Sequence, residues 1–233
     1  MAGFTGLGST FVAFTALVTA SVGAPPRDDA ARSAAGSSTI VAQQALGPLT
    51  AAAVARKYPR VIWRQSRPRG QPFAGSLGNA TKLPVEGQHF VTWDPERNRV
   101  PNPAGRRYAT GRLVRVLLRV AKQFARDHPD APRLVIGDLS QPHGGKFGDG
   151  MHASHQNGLD ADVYYPRRDR RERAPWKVSD VDRARSQELV NRFVRAGAGF
   201  VFVGPRVSLT GRRSIVRVWP NHDNHLHVRL RRG

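Results

Sequence analysis

The sequence predicts an α+β domain with a mostly antiparallel sheet and flanking helices. Two segments, residues 110–127 and 179–195, carry apolar side chains at helical spacing. Several shorter segments, apolar throughout or alternating between apolar and polar residues, have the length of strands. Loops of hairpin length join many of these segments, which favours antiparallel pairing over the long crossovers of a parallel sheet.

The N-terminal part of the chain is predicted to lie outside this domain. Residues 1–24 carry no charged side chain, and Val22-Gly23-Ala24 supplies the small residues that signal peptidase requires. We therefore expect a signal peptide over residues 1–24, or an uncleaved N-terminal anchor, because the uncharged segment is about long enough to span a bilayer. Both interpretations place the domain outside the cytoplasm. Residues 25–65 are expected to form a linker that contains a short helix over residues 48–58.

The predicted domain covers residues 66–233 and begins with an irregular segment. Residues 64–106 are rich in proline and glycine, and only strand-like pieces such as His89–Trp93 interrupt them. The clearest helix runs from Thr110 to Asp127 and ends before Pro129, since proline cannot continue a helix. Its predicted apolar face consists of Leu113, Leu117, Val120, Ala121 and Phe124.

Strands and a second helix are predicted after Pro129. Ser179 is expected to cap the second helix, with Asp182 at its third helical position and an end near Arg195. A glycine-rich loop, residues 144–150, separates the first two strands of this part. The predicted strands are Arg133–Gly137, Leu159–Tyr165, Gly199–Val203, Ser214–Trp219 and His225–Leu230.

Charge and cysteine content limit the possible functions. The chain carries 37 Lys and Arg against 17 Asp and Glu, a net charge of +20, which indicates a polyanionic partner or substrate. Nucleic acid, an anionic membrane and an anionic cell wall all satisfy that criterion. The chain has no cysteine, which excludes disulfides, thiolate metal sites and cysteine nucleophiles. A metal ion would have to be bound by histidine and carboxylate alone.

Two short stretches hold five of the eight histidines. Residues 152–162 read HASHQNGLDAD, and residues 222–227 read HDNHLH. Zinc binds imidazole nitrogen and carboxylate oxygen, and a catalytic zinc has three protein ligands and one open position. Either stretch alone is a weak signal, but together they supply such a ligand set. The sequence therefore predicts one Zn²⁺ site formed by both stretches.

Strand alternation divides the residues of the two stretches between two faces. In the last strand His225 and His227 share one face, whereas Leu226 and its alternate neighbours face a core. A turn at Gly158 can bring His155 back toward Asp162, so that this pair and one histidine of the last strand bind one ion. The other histidine of that strand would then be within reach to transfer a proton.

Three neighbouring residues have more than one interpretation. Asp160 could face solvent or support a ligand by a hydrogen bond, or it could take part directly in metal binding or catalysis. His222 could hydrogen-bond a ligand or stabilise the developing oxyanion. Trp219 is interpreted as a core residue, with stacking on the rim of the cleft as the alternative.

At these residues the chain resembles the penicillin-insensitive murein endopeptidases. These belong to a wider group of zinc peptidases that includes lysostaphin-type enzymes, D-Ala-D-Ala peptidases and the hedgehog domain. The resemblance spans roughly residues 70–230. Its motifs are Gly137-Asp138, Gly144-Gly145-Lys146-Phe147, Gly150 to Val163, and Val218 to Leu230.

The resemblance implies a zinc site like that of the hedgehog domain or the D-Ala-D-Ala peptidases, and it assigns a role to each of five residues. His155, Asp162 and His227 correspond to the zinc ligands. His225 corresponds to the catalytic histidine and His222 to its active-site helper.

The resemblance also has implications for a second metal ion and for the substrate. His152 matches a position that helps to bind a second metal in some relatives. No histidine occurs between Pro166 and Gly211 to complete such a site, so a single zinc is expected. The family hydrolyses peptidoglycan cross-links between D-alanine and diaminopimelate. The resemblance therefore implies an exported zinc endopeptidase whose partner is peptidoglycan, in agreement with the positive charge.

Other functions fit some of the same features. A D-Ala-D-Ala dipeptidase or carboxypeptidase could use the same scaffold, and a non-catalytic, basic wall-binding module could contain a structural metal. Binding of nucleic acid is disfavoured by the expected export and by the lack of interleaved aromatic and basic residues near the histidines. Membrane contact is expected only through residues 1–24, if they are retained.

Overall fold

The computed structural model describes residues 57–148, 150 and 152–233. The predicted signal peptide, most of the linker and nearly all of the predicted short helix lie outside these residues. The described strands are β1 (Arg67–Gln71), β2 (Ala74–Gly78), β3 (Thr81–Lys82), β4 (Glu86–Gly87), β5 (Phe90–Thr92), β6 (Tyr108–Ala109), β7 (Leu134–Ile136), β8 (Asp160–Tyr164), β9 (Ala198–Val203), β10 (Val216–Val218) and β11 (His225–Leu230). The α-helices of the same residues are α1 (Gly111–Asp127) and α2 (Arg183–Arg195).

A seven-stranded sheet in the order β10-β9-β11-β8-β7-β5-β4 forms the centre of the domain. Four neighbouring pairs are antiparallel, whereas β10 with β9 and β5 with β7 are parallel. The predicted α+β class with a mostly antiparallel sheet is confirmed. No helix among the described residues is long and apolar enough to cross a membrane.

Helix α1 agrees with its prediction almost to the residue. The Thr110 hydroxyl caps its first turn by accepting a hydrogen bond from the Leu113 amide. The predicted apolar face is buried, and the helix ends at Asp127, with His128 as its C-cap immediately before Pro129. The arginines and the lysine of the opposite face are exposed. Amphipathic spacing was sufficient here because the helix lies across the sheet with one side in water.

The start of α2 differs from the prediction. Asp182, not Ser179, is the N-cap, and its side chain accepts a hydrogen bond from the Arg185 amide. Ser179 lies in a short 3-10 turn over Val178–Asp180, and the Asp180 carboxylate accepts hydrogen bonds from two preceding amides. Val181 is extended and buried, which separates that turn from the helix. The predicted cap was therefore wrong by three residues.

Residues 64–106 are more regular than predicted. Strands β1 and β2 form a hairpin, β3 pairs with β6, and β4 and β5 extend the central sheet. The strand-like piece His89–Trp93 is confirmed as β5, but the interpretation of the rest as irregular was wrong. Strands of two residues carry too few alternations to be visible in a sequence, and β3 and β5 find partners after residue 106.

The two faces of the sheet have different environments. One face shares a core with α1 and α2, and strand β11 contributes Leu226, Val228 and Leu230 to that core. The alternate residues of β11 lie on the other face, together with the carboxylates of β8. The histidines of the last strand thus lie on the side of the sheet away from the helices.

Candidate metal centre

Three cross-strand pairs between β8 and β11 form the base of the site. His225 lies opposite Tyr164, His227 opposite Asp162, and Arg229 opposite Asp160. Successive pairs of this kind on one face of an antiparallel ladder place their side chains within contact distance. The predicted shared face of His225 and His227 is confirmed.

His155 reaches this face from the loop before β8. Gly158 has φ +73°, and a Cβ at this position would come within 2.6 Å of Leu77 Cδ2, so the turn requires glycine. The Nδ1–H of His155 donates a hydrogen bond to the Leu139 carbonyl. Its Nε2 therefore carries the lone pair and lies 3.4 Å from Asp162 Oδ1. The predicted return of His155 to Asp162 is confirmed.

His227 directs its second ring nitrogen at the same carboxylate oxygen. Its Nε2–H donates a 2.8 Å hydrogen bond to Asp160 Oδ1, and its Nδ1 lies 3.2 Å from Asp162 Oδ1. His155 Nε2 and Asp162 Oδ1 are buried and have no hydrogen-bond partner among the described residues. Acceptor atoms that face one another in a buried site are unfavourable unless a cation lies between them.

Two of the three separations between candidate ligand atoms agree with those around a tetrahedral zinc ion. Bonds of about 2.0–2.1 Å at tetrahedral angles separate two ligand atoms by about 3.3 Å. The corresponding separations from Asp162 Oδ1 are 3.4 Å to His155 Nε2 and 3.2 Å to His227 Nδ1. These three residues could therefore hold a metal ion.

The electrostatics of the site favour positive charge. Burial alone would raise the pKa of Asp162, but the nearby His155 and His225 hold it well below its usual range. Burial alone would lower the pKa of His227, but hydrogen bonds and charge interactions with Asp160 and Asp162 raise it to about 9. Two buried carboxylates thus stabilise a cation here, and a bound metal can replace the proton on His227.

Asp160 connects both ligand-bearing segments. Its Oδ1 accepts hydrogen bonds from His227 Nε2 and Arg229 Nε, and its Oδ2 accepts one from the His155 amide. The side chain is fully buried, so the interpretation as a solvent-facing carboxylate is excluded. A carboxylate that accepts the outer N–H of a ligand histidine fixes its tautomer and ring orientation.

We expect Asp160→Asn to lower zinc affinity by about 10- to 100-fold, the usual cost of losing such a supporting carboxylate. The amide offers only one acceptor oxygen for three donors and directs an N–H₂ group at one of them. Competition with a chromogenic chelator measures the change. Asp130→Asn, which alters an exposed carboxylate paired with Arg185 on α2, is the control and should bind zinc as the unaltered protein does. Equal affinity in both variants would contradict the support role of Asp160.

His152 also approaches the centre. Ligand atoms of His152, His155 and Asp162 lie within 4.8 Å of one another, so this group too could hold a metal ion. His152 Nε2 lies 2.7 Å from Asp138 Oδ2, however, and that oxygen also accepts a hydrogen bond from Arg106 Nη2. The positive charge of Arg106 beside Asp138 makes a second cation at this carboxylate unfavourable. His152 therefore lies close to the same candidate centre as His155 and Asp162.

His225 and His222 lie beside the candidate ligands. His225 Nδ1–H donates to Asn224 Oδ1, and its Nε2 lies 3.6 Å from Asp162 Oδ1. The His225 side chain is 18% exposed, against 8% for His227. The ring centroid of His222 is 4.9 Å from that of His225, and its Nδ1–H donates to the Pro220 carbonyl. A neutral His222 therefore has only a lone pair left at Nε2 and cannot donate to an oxyanion.

A polar network that the sequence did not reveal supports His152. Asp138 accepts two hydrogen bonds from Arg106 and one from Asn102, and all three residues are buried. The Phe147 ring of the glycine-rich loop contacts both the Arg106 guanidinium and the His152 ring. The position of Asp138 directly after the buried strand β7 was the available signal. Its partners Asn102 and Arg106 precede it by more than thirty residues, and no sequence signal marked them.

Trp219 is not a core residue. It follows β10, is 55% exposed, and contacts Phe202 edge to face. The interpretation as core was wrong, because an apolar residue at a strand end can equally well lie on the open face of the sheet.

Comparison with known proteins identifies the family. The model of the penicillin-insensitive murein endopeptidase family matches residues 68–196, more than half of the chain. The chain belongs to this family. The predicted family resemblance is thereby confirmed. The matched range contains Asp138, His152, His155 and Asp162 and ends before the last strand.

Relatives of the same description occur in Escherichia coli. The penicillin-insensitive murein endopeptidases of Escherichia coli O1:K1 / APEC and of Escherichia coli strain SMS-3-5 / SECEC are each 26% identical to the chain over 187 residues. The alignments cover 67% of this chain and 63% of each relative. The chain thus spans somewhat less than two thirds of the length of these relatives.

Proposed function

We propose that this chain is an exported zinc endopeptidase that hydrolyses peptide cross-links in peptidoglycan, of the D-alanyl–diaminopimelate type. The observation that carries the proposal is the convergence of His155 Nε2 and His227 Nδ1 on Asp162 Oδ1 in a member of this family. Buried imidazole nitrogens that converge on one carboxylate oxygen are the expected arrangement of a metal site.

Zinc is the metal that best suits these ligands. Two neutral imidazoles and one carboxylate are a typical ligand set for catalytic zinc, and no thiolate is available in the chain. When bound, zinc polarises the scissile carbonyl and lowers the pKa of the attacking water. His155, Asp162 and His227 hold the ion in this proposal, and Leu139 and Asp160 fix the two imidazole tautomers.

His225 transfers the proton in this proposal. Burial lowers the pKa of His225 to about 4, so the ring is neutral at physiological pH and can accept a proton at Nε2. Asn224 holds the opposite nitrogen as a donor, which directs the lone pair toward the centre. The greater exposure of His225 leaves its ring accessible to substrate, whereas the Nε2–H of His227 is hydrogen-bonded to Asp160. The protonated ring can then deliver its proton to the leaving amine.

His222 orients His225 in this proposal. Its ring lies beside that of His225, and its Nδ1–H is engaged by the Pro220 carbonyl. Burial lowers the pKa of His222, which keeps the ring neutral. The neutral ring fills the space next to the proton-transferring imidazole without adding a competing charge.

The substrate class rests on the family and on charge. Relatives named murein endopeptidases and a net charge of +20 both favour an anionic wall polymer. Action on such a polymer requires export, for which residues 1–24 have the expected composition.

A digest of purified sacculi tests the proposal. We expect the zinc-loaded protein to convert cross-linked muropeptide dimers to monomers, and a chelator to prevent the conversion until zinc is restored. Separation of the products by mass distinguishes cleavage between stems from release of terminal D-alanine, the carboxypeptidase result. If dimers persist at every zinc concentration while the protein sediments with sacculi, a wall-binding module replaces the proposed enzyme.

A further inference from the structure

An exposed shelf of aromatic and basic side chains extends from the candidate metal centre to the edge of the sheet. We define the β9–β10 shelf as Phe200, Phe202, Arg217 and Trp219. The register places Phe202 opposite His227 of β11 and beside Arg217 of β10. The shelf therefore continues the face that carries the histidines from β11 across β9 to β10, away from β8.

Ring contacts make the shelf continuous with the site. The Phe202 ring lies 5.5 Å from the His227 ring, and it contacts Phe200 at 5.9 Å in a stacked geometry and Trp219 at 5.9 Å edge to face. The Trp219 amide donates to the Val203 carbonyl, which fixes the end of β10 against β9. Phe200 and Phe202 are half-buried, whereas Trp219 is more than half exposed. Aromatic rings presented in this way bind peptide planes and apolar side chains at little entropic cost.

Arg217 differs from the other arginine of this face. The Arg229 guanidinium is bound to Asp160 and is therefore committed to the metal centre. The Arg217 guanidinium lies 4.5 Å from the centroid of the Phe200 ring, and among the described residues it forms no ion pair. A guanidinium that is held flat on an aromatic ring keeps its N–H groups free to bind a carboxylate in a forked geometry.

We propose that the β9–β10 shelf is a substrate subsite that binds one peptide stem through a carboxylate on Arg217 and through stacking on Phe202 and Trp219. This inference rests on the proposed function, since it assigns the surface next to the same metal centre. The position of the shelf determines which part of the substrate it contacts. A stem whose scissile bond lies beside His225 and His227, and which leaves the site toward β9, passes over Phe202. Peptidoglycan stems carry free carboxylates, which match the unpaired charge of Arg217.

Steady-state kinetics on two matched substrates test the subsite. The first is a cross-linked muropeptide dimer with free stem carboxylates, and the second is the same dimer with those carboxylates amidated. The variants are Arg217→Ala and Trp219→Ala. Arg119→Ala is the control, because Arg119 is an exposed arginine of α1, a helix that packs against the opposite face of the sheet.

For the free-carboxylate dimer, we expect Arg217→Ala to raise KM about tenfold or more with kcat nearly unchanged, the effect of losing a forked, charge-assisted contact that is made equally in the ground and transition states. For the amidated dimer, Arg217→Ala should leave KM unchanged, because the carboxylate that it binds is absent. Trp219→Ala should raise KM for both dimers, and Arg119→Ala should change neither.

Two results overturn the subsite. One is cleavage of the free-carboxylate dimer with equal KM by the unaltered protein and by Arg217→Ala. The other is an equal increase of KM for both dimers in Arg217→Ala, which would exclude recognition of a carboxylate. If the unaltered, zinc-loaded protein cleaves neither dimer, the proposed function itself fails and the subsite fails with it.

Discussion

Asp162→Asn is expected to lose bound zinc and hydrolytic activity together. Asp162 Oδ1 is the atom on which His155 Nε2 and His227 Nδ1 converge, so its carboxylate is shared by both candidate ligand rings. An amide of the same shape keeps the volume but removes the negative charge that balances the cation. We expect zinc to fall from one ion per chain to a trace, and cross-link hydrolysis to fall by about 10³-fold or more, because a bound metal supplies several kcal/mol of transition-state stabilisation.

Metal analysis after gel filtration measures the first effect, and muropeptide release measures the second. His152→Ala and His227→Ala identify the third ligand. We expect His227→Ala to lose zinc and His152→Ala to retain most of it, because His152 shares the Asp138 carboxylate with Arg106. The opposite pattern would make His152 the ligand. Melting temperatures in excess chelator, compared among all variants, separate a lost ligand from a damaged fold.

The sequence could predict which side chains of the site share a face, because the alternation within a single strand determines this. In β11 the alternation of two histidines with Leu226 and Val228 determines which face is buried, and a slip of one residue would expose the whole apolar set. The same period in β8 places Asp160 and Asp162 together. The pattern shows which residues share a face, but the antiparallel pairing of β8 with β11 is seen only in the structure.

Features that depend on distant partners could not be predicted. The Asp138 network joins Asn102 and Arg106 to the end of β7, and no local pattern indicates which buried carboxylate an arginine will meet. The cap of α2 was misplaced because Ser179 lies in a separate 3-10 turn, and the buried, extended Val181 lets the helix begin only after Asp182. Strands β1 to β4 and β6 were missed for the same reason, since their partners define them, whereas β5, β7 and β10 lie within predicted strands.

The exposed position of Trp219 illustrates a different limit. Hydropathy alone favours a tryptophan in the core, and the sequence contains nothing that separates a core face from a substrate face. Only the register of β10 against β9 places this ring beside Phe202, on the face that carries the histidines. A functional surface that is itself apolar is therefore invisible to burial patterns.

His225→Ala is expected to retain zinc but to lose turnover. Its Nε2 faces the centre without the carboxylate support that His227 receives from Asp160, and its ring is the more exposed of the two. Removing a general acid–base residue lowers kcat by about 10²- to 10⁴-fold, while the ligands and the substrate subsite remain. We expect KM for the cross-linked dimer to change little.

Paired measurements on one preparation distinguish this role from metal binding. Zinc content should equal that of the unaltered protein, in contrast to Asp162→Asn, whereas kcat should fall steeply. His225→Gln is the matched variant, because its amide can fill part of the space of the imidazole but cannot transfer a proton, and it should be as slow as His225→Ala. Loss of zinc in both His225 variants would show that His225 is a ligand, and near-normal kcat in His225→Gln would exclude proton transfer by this ring. A steep loss of kcat with full zinc supports proton transfer by this ring, whose Nε2 lies 3.6 Å from Asp162 Oδ1.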